Sequence, residues 1–275
     1  MNSRGSGAGG RGPRARGRGP GARVVWSLHS VVAFVVLCAG CARPPAPAKL
    51  QIAAAADLNF AMQEIARDFH QQHPEIDLQP AFGSSGNFYA QIQNHAPFDV
   101  FLSADVDYPR KLAAQGVGVK DSVFVYALGR IVVWVPAQSA LDPATALQAA
   151  AVRHVAIANP QHAPYGRAAE AAMRSLGVYD SVEGKLVLGE NVAQTLEFVE
   201  SGAADVGIVA LSLAIAPPVK DRGRYWEVPL AAYPKMEQGG MILHDSAAAR
   251  EFRSWLLAPG GRATLQRYGF YLPGK

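Results

Sequence analysis

Cysteine is almost absent from this sequence: of 275 residues only two, Cys38 and Cys41, are cysteines. Residues 42–275 contain none, so that part of the chain has no disulfide framework and no thiol nucleophile. The sequence also lacks the GxxxxGK[ST], HExxH and GxSxG motifs of phosphate-binding, zinc-dependent and hydrolase sites. A GxGxxG match at residues 5–10 has no strand before it and no helix after it, so it predicts no dinucleotide site.

An excess of positive charge is missing from most of the chain. The formal net charge of +4 comes from 26 basic and 22 acidic residues. Six arginines fall within the first 40 residues, which hold no acidic residue, and the remaining 20 basic residues nearly balance the 22 acidic ones. A nucleic-acid-binding protein carries its basic surface on the folded part, so we expect no nucleic-acid partner.

Residues 1–40 have the features of an export signal. Residues 1–23 are rich in Gly, Pro and Arg, and residues 24–40 form an apolar stretch interrupted by Ser27, His29 and Ser30. A basic start, an apolar segment and small residues before a break are typical of a cleaved signal peptide. A retained membrane anchor is the alternative, although the stretch is short and polar for a transmembrane helix.

The end of this segment, Cys38-Ala39-Gly40-Cys41, resembles a lipoprotein signal. In such signals the last cysteine is acylated and becomes the mature N-terminus. Cys38 departs from the pattern, because an aliphatic residue is usual there, and ordinary cleavage near Ala42 is the alternative. On the lipoprotein interpretation, residues 41–48 form a proline-rich linker that holds the folded part away from the membrane.

From Lys49 onward, short apolar runs alternate with segments of helical periodicity. The alternation predicts an α/β fold with mainly parallel sheets, and no linker separates two halves, which is consistent with two lobes between which the chain crosses twice. Residues 225–230 are expected to lead the chain back to the first half. The predicted strands are 50–55, 76–82, 99–103, 130–135, 155–158, 206–210 and 241–244, and the predicted helices are 58–69, 85–92, 106–114, 167–176, 192–199, 246–257 and 261–267.

Four of the predicted helix starts follow strands or apolar runs and are rich in small or hydroxyl residues. Ligands of open α/β sheets bind outside the carboxyl ends of the strands, where unpaired N–H groups and the helix dipole attract anions. None of these turns contains Lys or Arg, so we expect an anion there to be bound by neutral donors. The turns are residues 54–57, 82–86, 162–166 and 189–192.

These turns also have ordinary structural explanations. Asp57 and Ser85 are common N-cap residues, and Gly86 and Gly166 are common turn residues. A secreted hydrolase with Ser84 or Ser85 as nucleophile is a distant alternative, because the sequence ties no histidine to either serine as a base. The histidines lack the spacing of metal ligands and are expected to be solvated or capping residues; they include His70, His73, His95, His154, His162 and His244.

Several segments together resemble the periplasmic molybdate-binding proteins of ABC importers. They are IAAAADLNFAMQEIARDF, FGSSGNFYAQIQNHAPFDVFLSADVDYPRKL, ANPQHAPYGRAAEAAM, LGENVAQTLEFVESGAADVGIV and RYGFYLP, and they occur in the family's order across residues 50–272. The resemblance implies a two-lobed type II periplasmic binding protein fold, an α/β fold with mixed, mainly parallel sheets and two interlobe crossovers. The first lobe is expected at residues 49–126 and 226–275, and the second at residues 127–225.

The same resemblance implies an oxyanion site on Ala56, Asp57, Ser85, Tyr165 and Val192, with Ser84 beside it. Tyr165 is expected to supply a phenol hydroxyl. An ionised carboxylate beside a dianion is repulsive, so we expect the Asp57 side chain to cap its helix while its backbone N–H faces the ligand.

The function implied is extracytoplasmic capture of molybdate, and of tungstate, without catalysis or a cofactor. The metal enters only as the oxyanion, through the residues named above. The expected partners are a membrane permease and its ATPase, with the protein a monomer held at the membrane through Cys41. The same fold binding sulfate or phosphate is the nearer alternative, although hydrogen phosphate needs an acceptor for its proton.

Overall fold

The computed structural model describes residue 21 and residues 46–274 of the chain. The predicted signal peptide, Cys41 and the first part of the predicted linker therefore lie outside the described residues. Within the part that is described, no helix is both long enough and apolar enough to cross a membrane.

Strands and helices alternate along the described chain, as the apolar pattern predicts. The strands are β1 (Ala48–Ala55), β2 (Ile76–Gly83), β3 (Val100–Ser103), β4 (Phe124–Gly129), β5 (Ile131–Pro136), β6 (Val155–Ala158), β7 (Leu186–Gly189), β8 (Val206–Ala210), β9 (Gly223–Glu227) and β10 (Met236–Ile242). The helices are α1 (Asn59–Gln72), α2 (Ser85–Gln93), α3 (Asp107–Ala114), α4 (Pro164–Ser175), α5 (Tyr179–Val182), α6 (Val192–Glu200), α7 (Leu211–Ala214), α8 (Ala247–Leu257) and α9 (Pro259–Arg267).

The strands form two five-stranded sheets of the same design. The first sheet has the order β2-β1-β3-β10-β4 and the second the order β7-β6-β8-β5-β9. In each sheet one strand, β10 or β5, runs antiparallel to both of its neighbours, and the other four point the same way. The predicted fold class, an α/β fold with mixed and mainly parallel sheets, is confirmed.

The chain passes between the sheets twice. It leaves the first sheet at the end of β4 and enters the second at β5, with only Arg130 between the two strands. It returns between β9 and β10. We call the first sheet with its helices the first lobe, and the second sheet with its helices the second lobe. The predicted lobe limits at residues 126/127 and 225/226 fall inside β4 and β9, because an alternating pattern does not reveal to which sheet a strand belongs.

Each lobe has its own hydrophobic core. In the first lobe, α1 buries Met62, Ile65 and Phe69 against the sheet and against α8. In the second lobe, β6 and β8 are buried along their whole length, so their side chains are apolar on both faces. Helices on both sides of a central sheet satisfy this requirement.

The sequence-based prediction is wrong for four strands. The sequence pattern missed β4, which is separated from β5 by a single residue, and β7, a short edge strand whose first three residues are only partly covered or exposed. Residues 225–230 were expected to return the chain, but β9 still pairs with β5 in the second lobe. The last strand runs from Met236 to Ile242 rather than over residues 241–244. Its first residues include glycines and polar residues, so they do not form the apolar run that predicts a strand.

Candidate functional site

The residues that the sequence implied as ligand-binding lie around one pocket between the two lobes. Ala56 and Asp57 follow β1, Ser85 begins α2, Tyr165 is the second residue of α4, and Val192 begins α6. About 200 Å³ of space lies between the lining atoms, and part of it is open to solvent. Among the described residues that line it, none is Lys or Arg; the remaining lining residues are small or polar and are Ala55, Gly83, Ser84, Ala104, Ala163, Pro164 and Asn191.

The helix starts at this pocket are capped in a way that leaves their first N–H groups available. Ser84 is the N-cap of α2 and its hydroxyl accepts the N–H of Asn87. Asn191 is the N-cap of α6 and its amide oxygen accepts two N–H groups from the second and third helical residues. The N–H groups of Ser85 and Val192 have no partner inside their own helices and remain available to a ligand.

Ser85 adds a hydroxyl to this set of donors. Its Oγ is buried and accepts the backbone N–H of Ala104 at 2.9 Å. A serine hydroxyl can accept and donate at once, and its proton has no acceptor within the described part of the chain. Ser85 can therefore donate to an oxyanion while the Ala104 N–H holds its oxygen in place.

Asp57 does not cap a helix, which corrects the expectation drawn from the sequence. Its side chain is 1% exposed, and Oδ2 accepts hydrogen bonds from the Tyr165 hydroxyl at 2.9 Å and from Gln238 Nε2 at 2.5 Å. The helix starts around Asp57 have no side-chain cap at all. The other carboxyl oxygen, Oδ1, is buried and has no partner among the described residues.

The burial of Asp57 changes its acidity. Loss of contact with water raises the pKa of this carboxyl to about 6, although the hydrogen bonds from Gln238 and Tyr165, and weaker ones from the backbone N–H groups of Asp57 and Leu58, oppose the rise. Burial and the nearby Asp57 carboxyl raise the pKa of the Tyr165 phenol well above its ordinary value. Tyr165 is therefore neutral at physiological pH, and it donates its one proton to Asp57.

Gln238 is a site residue that sequence reasoning missed. It lies on β10 at an irregularity in the pairing with β4, and its side chain is fully buried. Its Nε2 contacts both Asp57 and the Tyr165 hydroxyl, the latter at 3.1 Å. A Cβ on Gly129, at the end of β4, would lie 2.8 Å from both Gln238 Nε2 and the Tyr165 hydroxyl. The polar run Glu237-Gln238 inside an otherwise buried strand is the signal that could have revealed it.

Hydrogen bonds and one ion pair join the lobes around the mouth of the pocket. The N–H of Gly86 in α2 donates to the carbonyl of His162 at 2.9 Å. A Cβ at Gly86 would lie 2.5 Å from that carbonyl oxygen, so the close approach requires glycine. Arg167 of α4 pairs with Asp105 at 2.7 Å, and the side chain of Asn87 bonds to Glu190. The structure is thus a closed arrangement of the two lobes.

His162 also lies against Ser84, which the sequence did not indicate. The Oγ of Ser84 and Nδ1 of His162 are 2.9 Å apart, and Glu190 lies 3.7 Å from Nε2 of the same ring. The sequence ties no histidine to either serine, whereas the structure places His162 beside Ser84. The arrangement is nevertheless poor for nucleophilic catalysis, because Ser84 is held as a helix cap, and Glu190 is 56% exposed and beyond hydrogen-bond distance.

The other titratable side chains that the structure describes do not gather into a metal centre. Within residues 46–274, no group of three or more His, Cys, Asp or Glu side chains is arranged to hold a metal ion. Asp99 accepts the backbone N–H of Gln51, and Asp105 is the partner of Arg167. The arrangement favours the binding of a small anion by N–H and O–H donors.

Two α/β lobes joined by two crossovers, with a small pocket of helix starts enclosed between them, define a two-lobed solute-binding protein. A model of the family of bacterial extracellular solute-binding proteins matches residues 50–271. The chain belongs to that family, as the resemblance in the sequence implied.

Individual relatives agree with this assignment. The molybdate-binding protein ModA of Rhodobacter capsulatus is 37% identical over 247 residues, which cover 89% of this chain and 96% of that protein. The molybdate-binding protein ModA of Azotobacter vinelandii is 38% identical over 231 residues, covering 82% of this chain and 90% of the relative. The structure of the Azotobacter vinelandii periplasmic molybdate-binding protein superimposes with a TM-score of 0.76 at 34% identity, and the match covers 82% of this chain and 99% of that one.

Proposed function

We propose that this protein captures molybdate, and also tungstate, outside the cytoplasm and delivers it to an ABC transporter. The observation that carries the proposal is the convergence of four helix or turn starts on one pocket between the lobes, whose described lining contains no Lys or Arg. Relatives that align with most of the chain are named molybdate-binding proteins, which supports the choice of ligand. In this proposal the anion is the cargo, and the protein needs no cofactor and catalyses no reaction.

The proposed ligand set consists of backbone N–H groups from both lobes and the Ser85 hydroxyl, since the Tyr165 hydroxyl that was expected to face the ligand donates to Asp57. Ala56, Asp57 and Ser85 belong to the first lobe, and Tyr165 and Val192 to the second. Molybdate and tungstate are fully deprotonated dianions at neutral pH, so they accept hydrogen bonds and offer none. A pocket of donors suits them, whereas hydrogen phosphate requires an acceptor for its own proton.

Delivery depends on closure of the lobes. The contacts made by Gly86, Asn87 and Arg167 across the cleft exist only when the lobes are together. An anion that bridges both lobes stabilises this closed form, and the permease and its ATPase recognise it as the loaded state. The binding protein acts as a monomer in this scheme.

The proposed location is the periplasmic or extracytoplasmic space, with residues 1–40 as a signal peptide and Cys41 as a lipid anchor. The composition of the leader and the Ala39-Gly40-Cys41 spacing support this proposal. We expect Cys41→Ala to move the protein from the membrane fraction to the soluble fraction. Unchanged fractionation contradicts lipid anchoring and favours ordinary cleavage or a retained span.

A thermal-shift panel of oxyanions tests binding against hydrolysis. A ligand at one hundred times its dissociation constant stabilises the folded protein by about 2.7 kcal/mol. We expect molybdate and tungstate to raise the melting temperature, and we expect no turnover of ester substrates. The alternative is a hydrolase in which His162 serves as the base for Ser84. It would be supported if the protein hydrolysed esters, if Ser84→Ala abolished that activity, and if no oxyanion stabilised the fold.

A further inference from the structure

Asp57 places an acidic side chain in a pocket proposed to hold a dianion. It is the only Asp or Glu among the described residues that line the pocket, and no cation there balances it. Two charges of the same sign in a buried site repel strongly, because the low dielectric constant screens them poorly. Either the carboxylate is neutralised when the anion binds, or the anion itself carries a proton.

The hydrogen bonds around Asp57 distinguish its two oxygens. Oδ2 accepts from both Tyr165 and Gln238, whereas Oδ1 has no partner among the described residues and is fully buried. A neutral carboxyl group has one oxygen that accepts hydrogen bonds and one that carries a proton. The surroundings of Oδ2 fit the accepting oxygen, which leaves Oδ1 as the oxygen that carries the proton.

The number of available donors leads to the same conclusion. The Tyr165 hydroxyl has one proton, and it donates that proton to Asp57. While it does so, it cannot donate to an anion as well. A proton on Oδ1 makes Asp57 itself a donor, and this donor takes the place of the Tyr165 hydroxyl, which is already used.

We propose that Asp57 takes up a proton from solvent on Oδ1 when the oxyanion binds, and that it donates this proton in a hydrogen bond to the anion. The inference rests on the proposed function. The step forms one O–H bond on the carboxylate and requires no other reactant than a proton from water. Anion capture is then coupled to proton uptake, and Asp57 favours fully deprotonated oxyanions over those that bring their own proton.

The anion-free carboxyl is suited to this coupling, since burial raises its pKa to about 6. At pH 7–8 it is mostly ionised before binding, and a neighbouring dianion raises its pKa further. The phenols Tyr165 and Tyr126 face it and stay neutral, because the pKa of each is well above the ordinary value. The short helix α7 contributes the Ser212 hydroxyl, which donates to the backbone carbonyl of Asp57.

Other charged groups near this part of the fold lie farther toward solvent. The mouth of the pocket holds His162, Glu190 and the Arg167–Asp105 pair. The charged residues of the elements packed against Asp57, namely β2, β10, α1, α4 and α6, are all at least partly exposed; they are Asp77, Glu237, Glu64, Arg67, Asp68, His70, Arg167, Glu170, Arg174, Glu197 and Glu200. The imidazole of His162 contacts Ser84 at the pocket, so the experiment includes a control for it.

Calorimetric titration with molybdate and with tungstate tests the proposal. Repeating each titration at pH 7.5 in two buffers of different ionisation enthalpy counts the protons taken up, and we expect about one per anion. Between pH 6.5 and 8 the dissociation constant should rise by up to about tenfold per pH unit. In Asp57→Asn, whose amide is a permanent donor, we expect binding without proton uptake and with little dependence on pH. His162→Gln should keep the proton uptake.

The possible outcomes separate this proposal from the proposed function. Tight molybdate binding by the unaltered protein with no proton uptake overturns the role of Asp57 and leaves the function intact. Absence of binding to either anion overturns the function, and the inference with it. Loss of binding in an Asp57→Asn variant that remains folded by circular dichroism shows that the charged carboxylate is required. Preference for phosphate, lost in the same variant, shows that Asp57 accepts a proton from the ligand instead.

Discussion

The raised pKa of Asp57 predicts how the stability of the ligand-free protein depends on pH. Burial raises the pKa of this carboxyl from 3.8 to about 6 in the folded protein. A difference of one pKa unit corresponds to 1.36 kcal/mol, so ionised Asp57 costs the folded state about 3 kcal/mol. The cost is absent below pH 4, where the group is protonated in both states. It develops as the pH rises from about 4 to about 6 and is constant above that.

Replacing Asp57 with asparagine removes this cost and keeps the shape of the side chain. We expect the anion-free Asp57→Asn variant to be more stable than the unaltered protein at pH 7.5, by at most about 3 kcal/mol, since the buried amide has its own desolvation cost. For a domain of this size 1 kcal/mol corresponds to a shift of about 2–4 °C, so the melting temperature should rise by up to about 6–12 °C.

Thermal unfolding followed by circular dichroism between pH 4 and pH 8 measures the effect. The stabilisation should shrink steadily below pH 6 and be smallest near pH 4. Asp180→Asn, which removes an exposed carboxylate from α5, is the matched control and should show no comparable trend. A variant that is less stable than the unaltered protein at pH 7.5, or a difference that is the same at every pH, would refute the reasoning.

Three further substitutions test the pocket and its closure. Ser85→Ala removes a hydroxyl donor to a charged ligand, and such a hydrogen bond contributes about 1.5–3 kcal/mol. Calorimetry should therefore show roughly tenfold to hundredfold weaker molybdate binding. The control variant Ser201→Ala, which changes an exposed serine, should bind molybdate normally. Gly86→Ala places a Cβ against the carbonyl of His162 and should weaken binding by opposing closure; unchanged affinity would contradict the closed site. Tyr165→Phe removes a hydrogen bond that lowers the Asp57 pKa, so the pH-dependent change in the unfolding temperature should extend to higher pH; no change contradicts the contact.

The parts of the fold that follow from the sequence are those with local signals. The buried strands β3, β6 and β8 are short apolar runs, and α1 shows the period of an amphipathic helix before His73-Pro74 ends it. The two missed strands lack such signals. β4 is joined almost directly to β5, and the edge strand β7 needs little burial, so its pattern is weak.

In the candidate site, too, the features with local sequence signals were predicted and those that depend on long-range contacts were not. The turns that contain Ser85, Tyr165 and Val192 are visible in the sequence as small or hydroxyl residues near predicted helix starts, and the resemblance to the family then singled out these three residues. The environment of Asp57 depends on Gln238, which is 181 residues away, and on Tyr165, which is 108 residues away. Contacts over such distances are set by the packing of the two lobes, so the capping role expected for Asp57 was wrong. The contact between His162 and Ser84 escaped prediction for the same reason.

The central claim is that the pocket between the lobes selects molybdate and tungstate. Calorimetric titration of the purified protein with molybdate, tungstate, sulfate and phosphate under identical conditions tests it most directly. Our account predicts tight binding of molybdate and tungstate, one anion per chain, with sulfate and phosphate much weaker. Sulfate binding as tightly as molybdate, or phosphate binding more tightly than either, would contradict the account while leaving the fold and the family unchanged.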